Sequence, residues 1–532
     1  MAANGRLETH HPVSMIYFTD EQIAEYTLSP YSCLNAITAM RGLLNFTIGI
    51  VAIGTSIGLC TCPAVATDGT AGRDTGKPNV LFIAVDDLND WVGFLGGHPQ
   101  AHTPNIDSLA NEGAVFKYAY CPAPVCGPSR TALMYGISPH KSGSYGHQKV
   151  YDPKELIPTE QLPINLVFQN NGYYTAGCGK IFHYPEPRGW DEYERHIKGN
   201  GVPKVSPKLG NGIELRFGVL ETDNDSDTSD GKLTDWAIEQ LQRKHEKPFF
   251  IALGLRKPHL PWEAPKKYFE QYDLEKIKLP SVLQGDLDDV PNVGKIFASA
   301  MVGFSLTEDH KAIAGVDGAW QKLVRAYLAT SSFADANVGR LLNALKAGPH
   351  LDNTIVLLWG DHGWHLGEKD HWRKMTLWER GTRTPLIIKM PGAAANSKKF
   401  ETPVSLQDIF PTLVDLCDLE IEQKLDGESL KPLLENPSVV WDKHVLMSHG
   451  PGNFAIRKGQ LRLIHYADGS EELYDIASDP SEFTNLAHDP KYADRGDKLR
   501  DHIPKSWRYI MGPRFEQFPD SFAKPTAPAQ TE

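Results

Sequence analysis

The chain contains 532 residues, carries a formal net charge of -12, and is 41% hydrophobic. This length exceeds what one compact core usually holds, so we expect a large domain with a smaller second one. The composition is typical of a globular enzyme and excludes a fibrous or disordered chain. The negative charge argues against general binding to nucleic acid, which needs an excess of Lys and Arg, but it leaves a small anionic ligand open.

The start of the chain carries a predicted export signal. Met40 precedes a mostly apolar run, residues 42–59, and a small-x-small cleavage pattern follows at residues 64–66. We therefore expect a signal peptide over residues 40–66, preceded by an over-extended start at residues 1–39. The protein is then exported, to the periplasm or out of the cell.

Two alternatives remain open for the apolar run. It is short for a membrane anchor and is interrupted by glycines and polar residues, so we expect no stable membrane span. Cys60 and Cys62 follow the run, but the residues before them fit a lipidation site poorly.

Seven cysteines are too few for a disulfide-rich scaffold. Those that follow the predicted cleavage site are Cys121, Cys126, Cys178 and Cys417. If Cys126 is reserved for chemistry, at most one disulfide forms among the other three, and the sequence does not choose the pairing.

Apolar runs at residues 79–85, 248–255 and 354–359 predict strands buried on both faces of a parallel sheet. Polar residues follow each run: Asp86 and Asp87, then residues 256–259, then residues 360–363. Ligands of open α/β sheets gather beyond the carboxyl ends of the strands. These polar residues are therefore expected to form one shared site.

Helical patterns separate these strands, at residues 104–112, 232–245, 320–346 and 406–417. The alternation predicts an α/β fold with a mainly parallel sheet flanked by helices.

From about His444 the pattern changes to short alternating segments with turn residues between them. The segments cover residues 445–448, 453–457, 461–466 and 472–474. We expect a catalytic domain over residues 77–435, a C-terminal antiparallel subdomain over 436–513, and a loosely held tail over 514–532.

Residues 124–136 carry the decisive motif. Cys126, Pro128, Ser129 and Arg130 match the signature Cys-x-Pro-Ser-Arg. The segment therefore resembles the formylglycine-dependent sulfatases, in which this cysteine is oxidised to formylglycine. Tyr135 departs from the family, where Thr is common. A buried structural cysteine or a disulfide partner is the alternative for Cys126.

Formylglycine suits a sulfate ester, whose oxygens repel ordinary nucleophiles and require positive charge and a regenerable nucleophile. A hydrated aldehyde carries two hydroxyls on one carbon, so one can attack sulfur and the other can later expel sulfate. Arg130, one helical turn after Cys126, is expected to orient this diol. The resemblance also implies a formylglycine-generating enzyme as the partner in maturation.

Residues 172–183 resemble the second signature of the family, Gly-Tyr-x-Thr followed by Gly-Lys-x-Phe-His. Cys178 departs from it, at a place usually held by a small apolar residue. The resemblance implies that Lys180 contacts the sulfate and that His183 hydrogen-bonds the formylglycine. Taken alone, Lys180 would be a solvated charge and His183 a loop histidine.

Asp86, Asp87 and Asp361 offer hard oxygen ligands, which suit Ca²⁺. The resemblance implies that they bind the metal, with His362 or an oxygen of the formylglycine at position 126 completing the site. His362 stands where arylsulfatases usually have Asn, and Asp-His-Gly-Trp is similar to the iduronate-2-sulfatase branch. An imidazole is unusual around calcium. A helix cap or turn is the alternative for the adjacent acids, which are unfavourable after a buried strand without a cation.

His259 is expected to protonate the leaving alcohol, because imidazole holds a transferable proton near neutral pH. Lys374 lies where the family places a sulfate-contacting lysine, and a register slip to Arg373 is the alternative. Lys369 and Arg373 are otherwise interpreted as solvated charges. Trp364, His371, Trp372 and residues 211–230 are expected either at the substrate rim or as packing and loop residues.

The resemblance covers Asn79 to about Asp489 and is greatest to iduronate-2-sulfatase-like members of the alkaline phosphatase superfamily. It implies an alkaline phosphatase-like α/β sandwich with a large mixed, mainly parallel sheet. The implied substrate is a sulfated sugar, glycosaminoglycan or polysaccharide fragment. A phosphodiesterase or phosphonate hydrolase of the same superfamily and an inactive protein that binds sulfated glycans are the alternatives.

Overall fold

The structure is a computed structural model that describes residues 76–146, 156–199, 215–299 and 309–508. All of them belong to one unit, Arg73–Glu532. The predicted signal peptide, the segment before it and the C-terminal tail lie outside the described residues. In the described part of the chain, no helix has the length and apolar character needed to cross a membrane.

The strands, numbered in chain order, are β1 Asn79–Val85, β2 Ala114–Tyr120, β3 Tyr174–Gly179, β4 Glu192–Glu194, β5 Phe217–Leu220, β6 Phe249–Leu255, β7 Trp262–Pro265, β8 Thr354–Gly360, β9 His365–Leu366, β10 Trp372–Arg373, β11 Arg383–Thr384, β12 Leu386–Lys389, β13 Lys399–Ser405, β14 Val445–Ser448, β15 Phe454–Lys458, β16 Leu461–His465 and β17 Glu471–Asp475.

The α-helices are α1 Pro104–Glu112, α2 Cys126–Tyr135, α3 Pro139–Ser142, α4 Ile164–Asn170, α5 Ser229–Gln242, α6 Lys266–Phe269, α7 Asn292–Ser299, α8 Asp309–Ala314, α9 Ala319–Ala347, α10 Glu379–Thr382, α11 Ile409–Leu416, α12 Lys431–Glu435 and α13 Ala493–Arg500. Short 3-10 helices cover Asp225–Asp227, Leu274–Lys276, Leu351–Asn353, Glu368–Asp370, Leu406–Asp408 and Pro490–Tyr492.

The large sheet has the strand order β11-β2-β12-β8-β1-β6-β3-β4, with β13 paired to β2. Strands β8, β1, β6, β3 and β4 are parallel neighbours. Strand β12 lies antiparallel between β8 and β2, so β2 has the same direction as β8. The sheet is therefore mixed and mainly parallel, as predicted.

Every residue of β1 is buried, which explains the continuous apolar run. Val80, Phe82 and Ala84 pack in a core with α2, α4 and α11 on one face of the sheet. The alternate residues Leu81, Ile83 and Val85 pack with α1, α5 and α9 on the other. Helices thus cover both faces and leave the carboxyl edge of the strands to carry polar residues.

Strands β14 to β17 form the predicted C-terminal antiparallel sheet. Ser448 N–H at the end of β14 donates to Pro122 O at 2.9 Å, in the segment that leads to Cys126. This sheet therefore contacts the segment that leads into the decisive motif. The domain boundary at residue 436 stays a prediction.

The predicted core strands and helices are confirmed, with shifts at their ends. The helix expected from residue 232 begins at Ser229, because Thr228 caps it by accepting from Gly231 N–H. The segment expected as one helix over residues 406–417 divides into Leu406–Asp408 and α11, with a capping box between Ser405 and Asp408.

Candidate active site

The site lies at the carboxyl edge of four neighbouring parallel strands. Lys180 follows β3, residues 256–259 follow β6, Asp86 and Asp87 follow β1, and Asp361 and His362 follow β8. Parallel strands end at the same edge, so residues separated by up to 276 positions in the chain come together. The predicted shared site is the one that the sheet builds.

Cys126 is the first residue of α2 and is fully buried. Its Sγ lies 3.1 Å from His362 Nε2, 3.0 Å from Lys374 Nζ and 3.6 Å from Asp87 Oδ1. The amino end of a ten-residue helix adds a partial positive charge at this position. Cys126 therefore stands at a point suited to an anion, within reach of carboxylates and cations.

Arg130 is fully buried and binds two carboxylates. Its Nε donates to Asp361 Oδ2 at 2.9 Å and its Nη2 to Asp86 Oδ1 at 3.1 Å. Its Nη1 donates to the carbonyl oxygens of Lys180 and Ile181. The guanidinium thus orients the carboxylates around Cys126, while the predicted contact with a diol at position 126 stays a prediction.

Asp86 also pairs with Lys180, whose Nζ lies 2.6 Å from Asp86 Oδ2. Burial would raise the pKa of Asp86, but Lys180, His259 and Arg130 outweigh it and hold this pKa well below its usual range. Asp86 is therefore a carboxylate, as a metal ligand must be.

Asp87 has a left-handed backbone, with φ of 59°, and its N–H donates to Asp361 Oδ1 at 2.9 Å. Lys374 Nζ lies 2.7 Å from its Oδ1, whereas its buried Oδ2 accepts no hydrogen bond from a described residue. Burial would raise the pKa of Asp87, but Lys374 and His259 outweigh it and hold this pKa well below its usual range. A charged oxygen without a donor is the feature expected of a metal ligand.

Two sets of four side chains could hold a metal ion, since their ligand atoms lie within 4.8 Å of one another. They are Asp86, Asp87, Cys126 and His259, and Asp87, Cys126, Asp361 and His362. The carboxylate oxygens fit a hard divalent cation. The predicted metal residues are thus brought together.

His362 directs Nε2 at this cluster because its Nδ1 lies 2.8 Å from Gly363 O and donates to it. Burial lowers the pKa of His362, but Asp361, Cys126 and the hydrogen bond to Asp87 together outweigh it and raise the pKa to about 10. A metal ion would therefore compete with a proton for Nε2.

His259 lies at the mouth of the cluster, with 30% of its side chain exposed and Nε2 4.0 Å from Asp87 Oδ2. Its Nδ1 lies 2.6 Å from Leu260 O and donates to it. Burial lowers the pKa of His259 to about 4, although Asp87 and Asp86 act in the opposite direction. Its neutral ring therefore presents the lone pair of Nε2 to the site.

Lys374, and not Arg373, enters the cluster. The interpretation of Lys369 and Arg373 as solvated charges is wrong, since both are buried and Lys369 Nζ pairs with Asp286 Oδ1 at 2.7 Å. Lys369 and Asp286 lie outside the cluster.

The aromatic residues considered for the rim pack inside instead. Trp364, His371 and Trp372 are all buried, and Lys374 Nζ lies 5.2 Å from the centre of the Trp364 ring. His183 is half-buried after β3, and its carbonyl accepts from Arg195 Nη2 at 2.7 Å. Its predicted hydrogen bond to position 126 stays a prediction.

Three supporting residues were missed. Ser129 Oγ donates to Asp361 O at 2.6 Å, and the signature motif could have indicated this role. Tyr327 OH donates to Asp87 O at 2.8 Å and accepts from Asn89 N–H at 3.0 Å. Tyr327 lies in the middle of α9, where a buried aromatic residue gives no sign of function.

Cys121, Cys126, Cys178 and Cys417 are all buried and free. The disulfide left open by the sequence is therefore not formed among these four described cysteines. Burial raises the pKa of the Cys121 and Cys178 thiols, which makes them poor nucleophiles.

The fold and this cluster of carboxylates and cations define a hydrolase of the alkaline phosphatase type. A family model described as Sulfatase matches residues 78–419, and one described as N-sulphoglucosamine sulphohydrolase, C-terminal, matches residues 367–508. The chain therefore belongs to the sulfatase family and is a sulfuric ester hydrolase.

Individual relatives agree with this assignment. A sulfatase of Formosa agariphila is 37% identical over 451 residues, which cover 82% of this chain and 88% of that protein. Human iduronate 2-sulfatase is 30% identical over 377 residues, which cover 66% of each chain. The resemblance to the iduronate-2-sulfatase branch is thus supported by a curated relative.

Solved structures share the fold. A protein in complex with its substrate D-glucosamine-2-N,6-O-disulfate has a TM-score of 0.64 and 25% identity, covering 80% of this chain and 97% of that one. The phosphonate monoester hydrolase of Silicibacter pomeroyi has a TM-score of 0.66 and 23% identity, with coverage of 80% and 94%. The second likeness concerns the fold alone.

Proposed function

We propose that this sulfatase hydrolyses sulfate esters of a sulfated sugar, such as a glycosaminoglycan or polysaccharide fragment. We further propose that it uses formylglycine made from Cys126 and a calcium ion, that a formylglycine-generating enzyme matures it, and that it is exported. The observation that carries the proposal is the position of Cys126, at a helix amino end with Sγ 3.0 Å from Lys374 Nζ and 3.6 Å from Asp87 Oδ1.

Sulfate binding depends on the cations at this edge. Lys374 and Lys180 each form a close ion pair with a carboxylate and are placed to neutralise oxygens of the bound ester. Burial would lower the pKa of Lys374, but Asp87 raises it, so the ammonium persists at every working pH. Arg130 keeps Asp86 and Asp361 directed at the metal position.

Formylglycine in its hydrated form would supply one hydroxyl to attack sulfur and a second whose deprotonation releases sulfate. Bound calcium would polarise the sulfate oxygens. Asp86, Asp87, Asp361 and His362 would hold the ion, and the unpartnered Asp87 Oδ2 supports this assignment. The remaining steps fall to the side chains that surround position 126.

His259 protonates the leaving alcohol in this proposal. Because its Nδ1–H is committed to Leu260 O, His259 can act as the acid only after Nε2, which faces the cluster, has taken up a proton to form the imidazolium. Its partial exposure places it between the buried sulfate position and the part of the substrate that extends outward. His183 would assist the later release of sulfate.

The substrate class rests on the named relatives. One curated relative is an iduronate 2-sulfatase, and a solved protein of the same fold binds a disulfated glucosamine. Both substrates are sulfated sugars. The phosphonate hydrolase alternative rests on a fold likeness below 25% identity, and such an enzyme would use a similar nucleophile and metal.

Mass spectrometry of the peptide containing position 126, from protein made in its native host, tests the maturation step. The same protein is then assayed for sulfate release from sulfated oligosaccharides and for turnover of matched phosphate and phosphonate esters. We expect formylglycine and preferential sulfate release. Unmodified cysteine together with no sulfate release would falsify the proposal, and faster phosphonate turnover would favour the alternative.

Calcium is tested by removing it. Treatment with EGTA is expected to abolish sulfate release and to lower the thermal midpoint, because Asp86, Asp87 and Asp361 then repel one another. Addition of Ca²⁺ should restore both quantities, whereas Asp87→Asn protein should respond weakly. Full activity after exhaustive chelation would contradict a metal requirement.

A further inference from the structure

The loop that carries Lys374 has an unfavourable backbone. Lys369, Asp370, Arg373 and Met375 have positive φ angles of 57°, 50°, 80° and 80°, although none is glycine. Such conformations persist where surrounding contacts impose them, and they are common beside active sites. Something must therefore hold this loop on both sides of Lys374.

One tie lies after Lys374, where Met375 N–H donates to Pro124 O at 3.1 Å, in the segment leading to Cys126. The tie on the other side is His371, which is buried. Its Nδ1 lies 2.6 Å from Ala298 O, at the end of α7, and its Nε2 lies 2.9 Å from Lys374 O. One imidazole thus bridges the loop to a separate helix.

Each ring nitrogen of His371 lies against a carbonyl oxygen, which only accepts hydrogen bonds. A flipped ring would place a carbon 2.6 Å from Ala298 O, well inside the roughly 3.3–3.6 Å of C–H···O contacts. Both ring nitrogens must therefore donate. An imidazole that donates from both nitrogens is an imidazolium cation.

We propose that His371 is a positioning residue that, as a buried imidazolium, clamps the backbone of Lys374 to α7 and so fixes Lys374 Nζ beside Asp87 and Cys126. The proposal rests on the sulfate-binding role given to Lys374 above. Loss of either ring proton would turn a lone pair toward a carbonyl oxygen, and the resulting repulsion would release the loop.

A second histidine lies beside this clamp. His365 faces His371 in the described part of the chain, with ring centres 4.9 Å apart. Burial, followed by the charge of His371, holds the pKa of His365 well below its usual range, so His365 is neutral. Lys369 directs its charge to Asp286, and Lys374 meets His371 through its carbonyl.

The first test is His371→Gln, because one glutamine amide cannot donate to both carbonyl oxygens from two separate atoms. We expect KM for a sulfate ester to rise about tenfold to a hundredfold in matured protein, since a small displacement of a positioned group has effects of that size. A merely structural role would lower the yield of folded protein and leave KM unchanged.

His245→Gln is the matched control. His245 Nε2 also lies against a carbonyl oxygen, that of Gln240, at 2.8 Å, but this residue precedes β6 at the opposite edge of the sheet. The KM of His245→Gln protein is expected to equal that of the wild type. A KM for His371→Gln within about twofold of the wild type would overturn the clamp.

A second pair of variants separates charge from volume. His371→Lys supplies a cation with several donors, whereas His371→Met fills similar space without any. We expect His371→Lys to have a lower KM and a higher thermal midpoint than His371→Met. Equal values in the two variants would contradict the proposal. If wild-type protein releases no sulfate, the proposed function fails, and the thermal midpoints of this pair still test the clamp.

Discussion

The active-site cluster and the network beneath the C-terminal sheet are both built from buried charges. We define the inter-sheet network as Tyr120, Glu379, Arg457, Arg462 and Glu482. Glu379 accepts from Tyr120 OH and from Arg462 Nη2, each at 2.9 Å, and Arg457 Nε donates to Tyr120 OH at 2.9 Å. These contacts tie β2 of the large sheet to β15 and β16.

The two clusters differ in where their contacts converge. In the inter-sheet network the acids face groups of other elements in pairs. Glu482 Oε2 accepts from Glu379 N–H at 2.7 Å, and its Oε1, which accepts no hydrogen bond from a described residue, lies 3.4 Å from Arg462 Nε. In the active site, oxygen, nitrogen and sulfur atoms converge on one point, within 4.8 Å of one another. Pairing across elements thus indicates a structural role, whereas convergence indicates a ligand.

The largest expected effect comes from Cys126→Ala. Removal of the precursor of the nucleophile should lower sulfate release by more than about a thousandfold while the protein remains folded. Sulfate release and the thermal midpoint are the measurements. Cys178→Ala is the matched control, because Cys178 is also buried and free but contacts Leu233 O instead of the cluster. Equal losses of sulfate release in both variants would contradict the distinction between Cys126 in the active site and Cys178 outside it.

A smaller effect is expected from Lys374→Met. The change removes the ammonium 2.7 Å from Asp87, so kcat/KM should fall by about a hundredfold to a thousandfold. Lys389→Met serves as the control, since Lys389 pairs with Glu112 at 2.6 Å outside the active site. The measurement is kcat/KM for both variants. Similar losses in the two would mean that a lysine in the active-site cluster matters no more than one outside it.

The sequence was sufficient to predict the core strands, the carboxyl-edge site and the residues that converge there. Strands such as β1 are fully buried and continuously apolar, and Cys126 to Arg130 form a motif of closely spaced residues. Information of this kind is local, because it depends on neighbours in the chain.

The supporting contacts could not be predicted in the same way. Tyr327 and Asn89 are 238 residues apart, and Lys369 meets Asp286 across 83 residues. Lys369 stands among other charged residues, and this pattern is typical of an exposed loop and predicts a solvated side chain. Its burial follows from packing against segments that no local pattern relates to it.

Arg462→Met sharpens the comparison from the structural side. It leaves Glu379 buried without its closest cation and should lower the free energy of unfolding by about 3–5 kcal/mol. Activity per folded molecule should fall far less than in Cys126→Ala. Arg500→Met provides a partly exposed control, since the Arg500–Glu471 pair should contribute less than about 1 kcal/mol. Denaturant unfolding of both variants would measure these two free energies. Equal values would contradict a stabilising role of the inter-sheet network.

The smallest expected effect concerns His140, a buried group that is neutral instead of paired. Burial lowers the pKa of His140 from 6.5 to about 4, so between these values the unfolded chain binds a proton that the folded chain does not. Stability is therefore lost as pH falls from about 6.5 to 4, by at most about 3 kcal/mol.

His140→Gln removes this titration and should reduce the loss of unfolding free energy between pH 7 and pH 5. The exposed His488 supplies the control, and His488→Gln should keep the wild-type slope. An unchanged slope in His140→Gln would mean that His140 is charged in the folded protein. A buried charge needs a partner, so His140 would then resemble the paired charges of the inter-sheet network and would not be a neutral core residue.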